Sequence, residues 1–86
     1  MLSASWVAKL TTAVTLHLVD PTKRKWRFYH LYVQPDLFGQ WCLIREWGRI
    51  GSHGQTITIP FASEDRAEVA LNQQRRRKER RGYVSI

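Results

Sequence analysis

The sequence predicts an α+β domain, an antiparallel sheet of four to five strands with one helix packed on one face. Three features carry that expectation. Stretches rich in β-branched and aromatic residues recur between turn signals, one segment with helical spacing follows them, and an alternating tail ends the chain. In order they read β-β-β-β-α-β, the layout of a sheet whose helix lies to one side. At 86 residues and 10.1 kDa there is room for one small domain and none for a two-domain enzyme with a central cleft. An apolar content of 43%, including four Trp, three Tyr and three Phe, suffices for a compact core without staples.

Residues 1–12 are small and polar apart from Trp6, Val7 and Leu10, and read as a loosely held lead-in or a strand that docks late; the domain proper spans 13–86. In the first strand, 13–20, Val14, Leu16 and Leu18 alternate with Thr15 and His17. Asp20-Pro21-Thr22 is a turn, since proline presets φ and aspartate bonds the backbone that follows. The second strand, 26–33, is apolar on both alternation sets, as a central strand covered on both faces would be. Residues 34–40 form a loop, and 41–47 the third strand. Gly48 to Gly54 is a glycine loop leading into the fourth strand, 55–61, which Pro60 ends or confines to an edge.

Ser63 is the expected helix N-cap, with Glu64 and Asp65 in the first turn where the macrodipole favours anions; Arg66 leaves the capping box incomplete. Ala67, Ala70 and Leu71 supply a narrow apolar stripe, which Gln74 continues weakly. Gly82 is the expected stop, and residues 83–86 alternate as a fifth strand would.

Fourteen Lys and Arg against seven Asp and Glu leave a net charge of +7. That balance favours a polyanionic partner, nucleic acid ahead of an anionic membrane surface. Lone Cys42 closes no intrachain disulfide, and no apolar run approaches the roughly 18–20 residues of a membrane span. Without a basic n-region, and with Lys9 interrupting its apolar stretch, the N-terminus does not read as a secretory signal. The expectation is a soluble, cytoplasmic protein.

Catalysis finds little support. His17, His30 and His53 are widely separated, and Cys42 between Trp41 and Leu43 reads as a small buried hydrophobe. No ligand-type residues have zinc spacing, and the acids suggest no carboxylate dyad. Gly48 to Gly54 joins two strands rather than opening a helix, so it is neither a Walker loop nor a dinucleotide fingerprint. Gly48-Arg49-Ile50-Gly51 matches the GXXG clamp of KH domains in letters but not in its setting between strands. The reading is non-enzymatic, with no metal and no cofactor.

Basic clusters carry more. Lys23, Arg24, Lys25 and Arg27 gather at the first turn; Arg75, Arg76, Arg77, Lys78, Arg80 and Arg81 crowd the helix end. The like-charge pairs Arg76/Arg80 and Arg77/Arg81 each cost ~0.2–0.5 kcal/mol in isolation, and Glu79 offsets little of it. A solvated face usually mixes its signs, so the run points to an anionic partner. Trp47, Gly48 and Arg49 form the remaining constellation. An exposed Trp47 would stack on a sugar or base while Arg49 forks to a phosphate; a buried Trp47 would be core, with Arg49 capping a carbonyl.

Trp47-Gly48-Arg49-Ile50-Gly51 followed by Gly54-Gln55 resembles the signature of the WGR domain. Arg27-Phe28-Tyr29 is similar to that family's basic-Phe-Tyr segment, and 78–83 (KERRGY) to its closing Gly-Tyr stretch. The loop from Val33-Gln34-Pro35 to Gly39, with Arg45-Glu46-Trp47, resembles small stand-alone bacterial members. The resemblance covers about 13–86. It implies a five-stranded antiparallel sheet with one helix, in a family also found as regulatory modules of poly(ADP-ribose) polymerases, where the module contacts DNA at strand breaks. By matching position it implies that Trp47 stacks on a terminal nucleotide, Arg49 contacts a phosphate or partner domain, and Arg27 meets the backbone beside the 5′ end. Trp26 and Glu46 depart from the Asn and Arg frequent in the polymerase members, and no catalytic domain is present to bring ADP-ribosylation with it.

The expected activity is therefore binding of DNA, at ends or as nonspecific duplex, through Lys23, Arg24, Lys25, Arg27, Trp47, Gly48, Arg49, Arg75, Arg76, Lys78 and Arg80. The alternative is a protein-interaction adaptor that docks an acidic partner.

Overall fold

In the computed structural model the described residues are 12–86, and all but Thr12 of the expected lead-in lies outside them. Strands β1 (Thr12–Asp20), β2 (Lys25–Pro35), β3 (Trp41–Arg49) and β4 (Gln55–Phe61) precede one helix, α1 (Glu64–Arg80), and a short β5 (Val84–Ser85). They form one sheet in the order β4-β3-β2-β1-β5. Every pairing is antiparallel, so β2 is central and β4, with Pro60, is an edge.

Alternation assigns the faces. Leu16, Tyr29 and Trp47 lie in one cross-strand row, and Val14, Leu31 and Arg45 in the next, all toward α1. Leu31, Val33 and Leu71 are sealed from solvent and form the core with Leu16, Tyr29, Leu43 and Ala67. Removing Leu71 to alanine from such a site costs ~2–5 kcal/mol. The helix touches the sheet through the expected stripe, Ala67, Ala70 and Leu71.

Both helix ends are capped as their residues dictate. The Ser63 hydroxyl accepts the Arg66 N–H at 3.2 Å, satisfying one orphan donor of the first turn. At the other end Gly82 (φ +101°) donates to the Glu79 carbonyl and Tyr83 to that of Lys78, a Schellman pattern that needs a left-handed residue. This stop turns Tyr83 back toward its own helix and feeds β5 onto β1.

The fifth strand, expected over 83–86, is limited to Val84–Ser85, the second begins one residue early at Lys25, and two loops start later than expected. The glycine loop expected from Gly48 starts later, because Gly48 and Arg49 still pair with Phe28 and Arg27, and Ile50 donates to the Trp26 carbonyl at 2.8 Å. The loop expected from Gln34 also starts late, since Gln34 and Pro35 pair with Cys42 and Trp41. Covering of β2 on both faces holds only in part. The helix covers the Tyr29–Leu31–Val33 side, whereas on the far side Phe28 is shielded by its neighbours, His30 and the glycine backbones among them. No helix among the described residues is long and apolar enough to cross a membrane.

Candidate nucleic-acid interface

The helix starts beside Phe61 of β4 and ends over β1 and β2, where Lys78 lies on Tyr29 and Gly82 approaches Leu18. It therefore crosses the sheet obliquely. Beneath its C-terminal end opens a cavity of about 470 Å³, where the β1–β2 turn, the start of β2 and the end of β3 meet. Arg24, Lys25, Arg27, Arg49 and Lys78 bring five cations to it; Tyr29, Trp47 and Tyr83 supply aromatic wall, and Trp26 and Gly48 complete the lining. Among the described residues none of these cations has a carboxylate within ion-pair distance, the one such pair being His30–Glu46.

Strand geometry explains the convergence. Arg27 and Arg49 are directly paired across β2 and β3, and Tyr29 and Trp47 occupy the next row on the same face. Arg24 reaches the rim because the chain leaves the 3₁₀ turn Pro21–Lys23 through a left-handed residue, Arg24 itself at φ +53°. That conformation is uncommon for a side chain with Cβ. Its N–H donates to the Pro21 carbonyl at 3.1 Å, which holds the turn closed.

Glycine is required at the cavity floor. A Cβ on Gly48 would stand 2.7 Å from the Gly54 Cα, and one on Gly54 would stand 2.2 Å from the Trp47 carbonyl oxygen. Gly54 also has φ +71°. The Phe28 ring lies against both positions from the far face. Side chains there would push Trp47 and Arg49 out of register with β2.

Trp47 resolves the open alternative by being half-buried: its ring stacks on Tyr29 at 5.8 Å and 14°, and it still lines the cavity. Arg49 sits two residues on, so both side chains leave the same face. The Arg49 side chain is exposed and caps no carbonyl among the described residues; its own carbonyl accepts the Ser52 N–H and hydroxyl.

Tyr29 is the hub beneath them. It is 2% exposed, and its hydroxyl accepts from Arg45 Nε at 2.9 Å and Gln74 Nε2 at 3.2 Å. Lys78 Nζ stands 4.6 Å above its ring and 5.7 Å from that of Tyr83. Aromatic faces thus hold the ammonium where a carboxylate would otherwise be needed. Burial first, then repulsion from Arg81, Arg45, Arg77 and Arg27, pulls the Lys78 pKa below its ordinary value.

The cavity gathers Arg24, Lys25, Arg27, Trp47, Gly48, Arg49 and Lys78 of the expected set. Lys23 sits exposed in the turn next to it, Arg75 is half-buried on the Leu71–Lys78 face but outside the lining, and Arg76 and Arg80 lie on the exposed face of α1. Tyr29, Tyr83 and Arg45 were absent from the expected set. Cys42 is buried, and burial followed by the nearby Asp36 carboxylate raises its thiol pKa, which keeps it in the weakly nucleophilic form.

Sheet, oblique helix and cavity define a small basic binding module whose cations converge on one half-enclosed space. The chain belongs to the WGR domain family, whose model matches residues 12–86. The family is generally one of nucleic-acid-binding modules. Over 65 residues the chain is 40% identical to the uncharacterized protein y4dW of Sinorhizobium fredii (strain NBRC 101917 / NGR234), a match that takes in 76% of this chain and 32% of that protein. The chain thus spans about a third of the length of the curated relative it matches. No solved structure gave a significant match.

Proposed function

We propose that this domain is a non-enzymatic, cytoplasmic DNA-binding module of bacterial type that holds a duplex, and by preference its end, in the cavity beneath α1. The observation that supports this most is the convergence of Arg24, Lys25, Arg27, Arg49 and Lys78 on one space with no carboxylate partner among the described residues. Like charges gathered in one half-enclosed space repel, so such a cluster is eased when an anion neutralises it. Lys23, Arg24, Lys25 and Arg27 take backbone phosphates. Arg49 forks to the phosphate of the nucleotide whose sugar or base lies on Trp47, with Gly48 between them keeping both in register with β2. Arg76 and Arg80, both exposed, add attraction without fixed geometry, and Arg75 adds charge from its half-buried place one turn before Lys78.

Titration of broken and covalently closed duplexes at two salt concentrations tests this reading. The expected result is tighter binding of the broken form, with log affinity falling against log salt by about 0.9 per phosphate contact. Absence of binding at about 50 mM salt rejects DNA as the partner. Equal affinity for both forms removes the preference for ends.

A second reading, an adaptor for an acidic partner protein, draws on a different feature. A mainly apolar groove of about 430 Å³ runs between β4 and α1, lined by Phe61, Val69 and Ala70 with Arg66 at its side. A pull-down that survives nuclease treatment and is abolished by Arg66→Ala would favour this reading over the first.

A further inference from the structure

The cavity does not end at Trp47. Arg45, Trp47 and Arg49 occupy alternate positions of β3 and so share the helix-side face, ~7 Å apart at each step. Because α1 runs obliquely away from β4, the neighbours of this row stay open. Gln55, opposite Trp47, is exposed, and Ile57, opposite Arg45, is 42% exposed. A cation–aromatic–cation track thus leads from the cavity along β3, open on its β4 side.

Arg45 is also held in an unusual way. Its guanidinium carbon lies 5.6 Å from the centroid of Trp47 and 5.9 Å from that of Tyr29. Its Nε–H is taken by the Tyr29 hydroxyl, which Gln74 steadies from the helix. Among the described residues no other acceptor bonds to Arg45, and no carboxylate lies within ion-pair distance of it. The guanidinium is therefore fixed by one N–H at the hydroxyl edge of Tyr29 and by the Trp47 ring, with its terminal nitrogens uncommitted. A guanidinium has a planar fork of further donors, which suits a phosphate. Its ordering is already accomplished on folding, so little rotamer entropy remains to be lost on binding.

The geometry points to Arg45 as a second phosphate contact: the nucleic-acid strand runs along β3, with one nucleotide against Trp47 and Arg49 and the next nucleotide's phosphate on Arg45. This rests on the DNA-binding reading and adds a subsite and a direction to it. The strand follows β3 instead of turning along the arginines of α1.

The test is titration of the full chain, as wild type, Arg45→Gln, Arg45→Lys and Tyr29→Phe, with a fluorescein-labelled blunt DNA duplex over a range of salt, each variant's thermal melt being recorded first. Arg45→Gln should weaken binding about tenfold at low salt, the worth of one charge-assisted contact. It should also lower the salt slope by about 0.9, one phosphate. Arg45→Lys should keep the slope and recover part of the affinity, since the charge remains and the fork is lost. Tyr29→Phe keeps the ring stack and frees the guanidinium; it should weaken binding about threefold at an unchanged slope. Arg45→Gln within about twofold of wild type, at the wild-type slope, overturns the subsite. Should Arg45→Gln not fold, Tyr29→Phe decides, and wild-type affinity in that variant overturns the subsite equally. Failure of the parent reading looks different, because wild type itself then binds no duplex.

Discussion

Two regions of this molecule are equally basic and differently built. At the C-terminal end of α1, Arg76, Arg77, Arg80 and Arg81 are exposed and project in several directions. At the end of the sheet, Arg27, Arg49 and Lys78 converge on the cavity with Arg45 beyond Trp47 on β3, and Arg45 and Lys78 rest on aromatic rings. Coulomb attraction draws a polyanion to either region. On binding, each free helix arginine gives up ~0.5–1.5 kcal/mol of side-chain freedom, while Arg45 and Lys78, held on aromatic rings, gave up theirs when the chain folded. Charge density therefore sets attraction, and fixation sets position. The cost of fixation shows at Lys78, where burial and neighbouring arginines disfavour the charged form.

The sharpest way to break the contrast is to remove the floor of the fixed region. Gly54→Ala places a Cβ into the Trp47 carbonyl at a positive φ, and should destabilise the fold by about 2–4 kcal/mol in a urea titration. Whatever remains folded should bind DNA with the weak, strongly salt-dependent attraction of the helix arginines alone. A smaller effect is expected from the other region. Arg76→Gln with Arg80→Gln should lower affinity by about threefold to tenfold while keeping the preference for broken over closed duplex, since attraction falls and positioning stays. Loss of that preference would mean that the helix, not the cavity, positions the ligand.

The smallest expected effect concerns pH. The folded pKa of Lys78 lies below its ordinary value, so just under the ordinary lysine range the unfolded chain binds more protons than the folded one. The contribution of Lys78 to stability accordingly rises with pH across that window. Binding runs the other way: a phosphate beside Lys78 favours the ammonium and takes up a proton, so affinity falls as pH climbs through the same window. Lys78→Arg, which stays charged, should flatten that fall in a fluorescence titration between about pH 8 and pH 10.

Much of the fold was legible in the sequence because its signals are local. Alternation in β1, the unbroken aromatic run of β2, proline at the β4 edge, the Ser63 cap and the Gly82 stop each concern neighbours in the chain. The late start of the glycine loop escaped that reading, because Gly48 remains in the ladder through its contact with Phe28, a residue distant in sequence. The site was legible as composition but not as arrangement. Trp47 and Arg49 stood out through their motif, and the helix arginines through their number. What singles out Lys78 among six neighbouring cations is its seat on Tyr29 and Tyr83, the first of which lies two strands away. Arg45 carried only a mild signal, its i, i+2, i+4 spacing with Trp47 and Arg49, and the diverging helix that exposes it has no counterpart in the sequence pattern.

The most direct test of the central claim, that the held cations and not the free ones place the ligand, is amide-shift mapping of the full chain with a short DNA duplex. The expected shifts cluster at residues 24–29, 45–50 and 78–83, three segments that meet only in the folded cavity. Shifts confined to residues 63–71, or spread along the helix arginines with Trp47 and Arg49 unmoved, would contradict it.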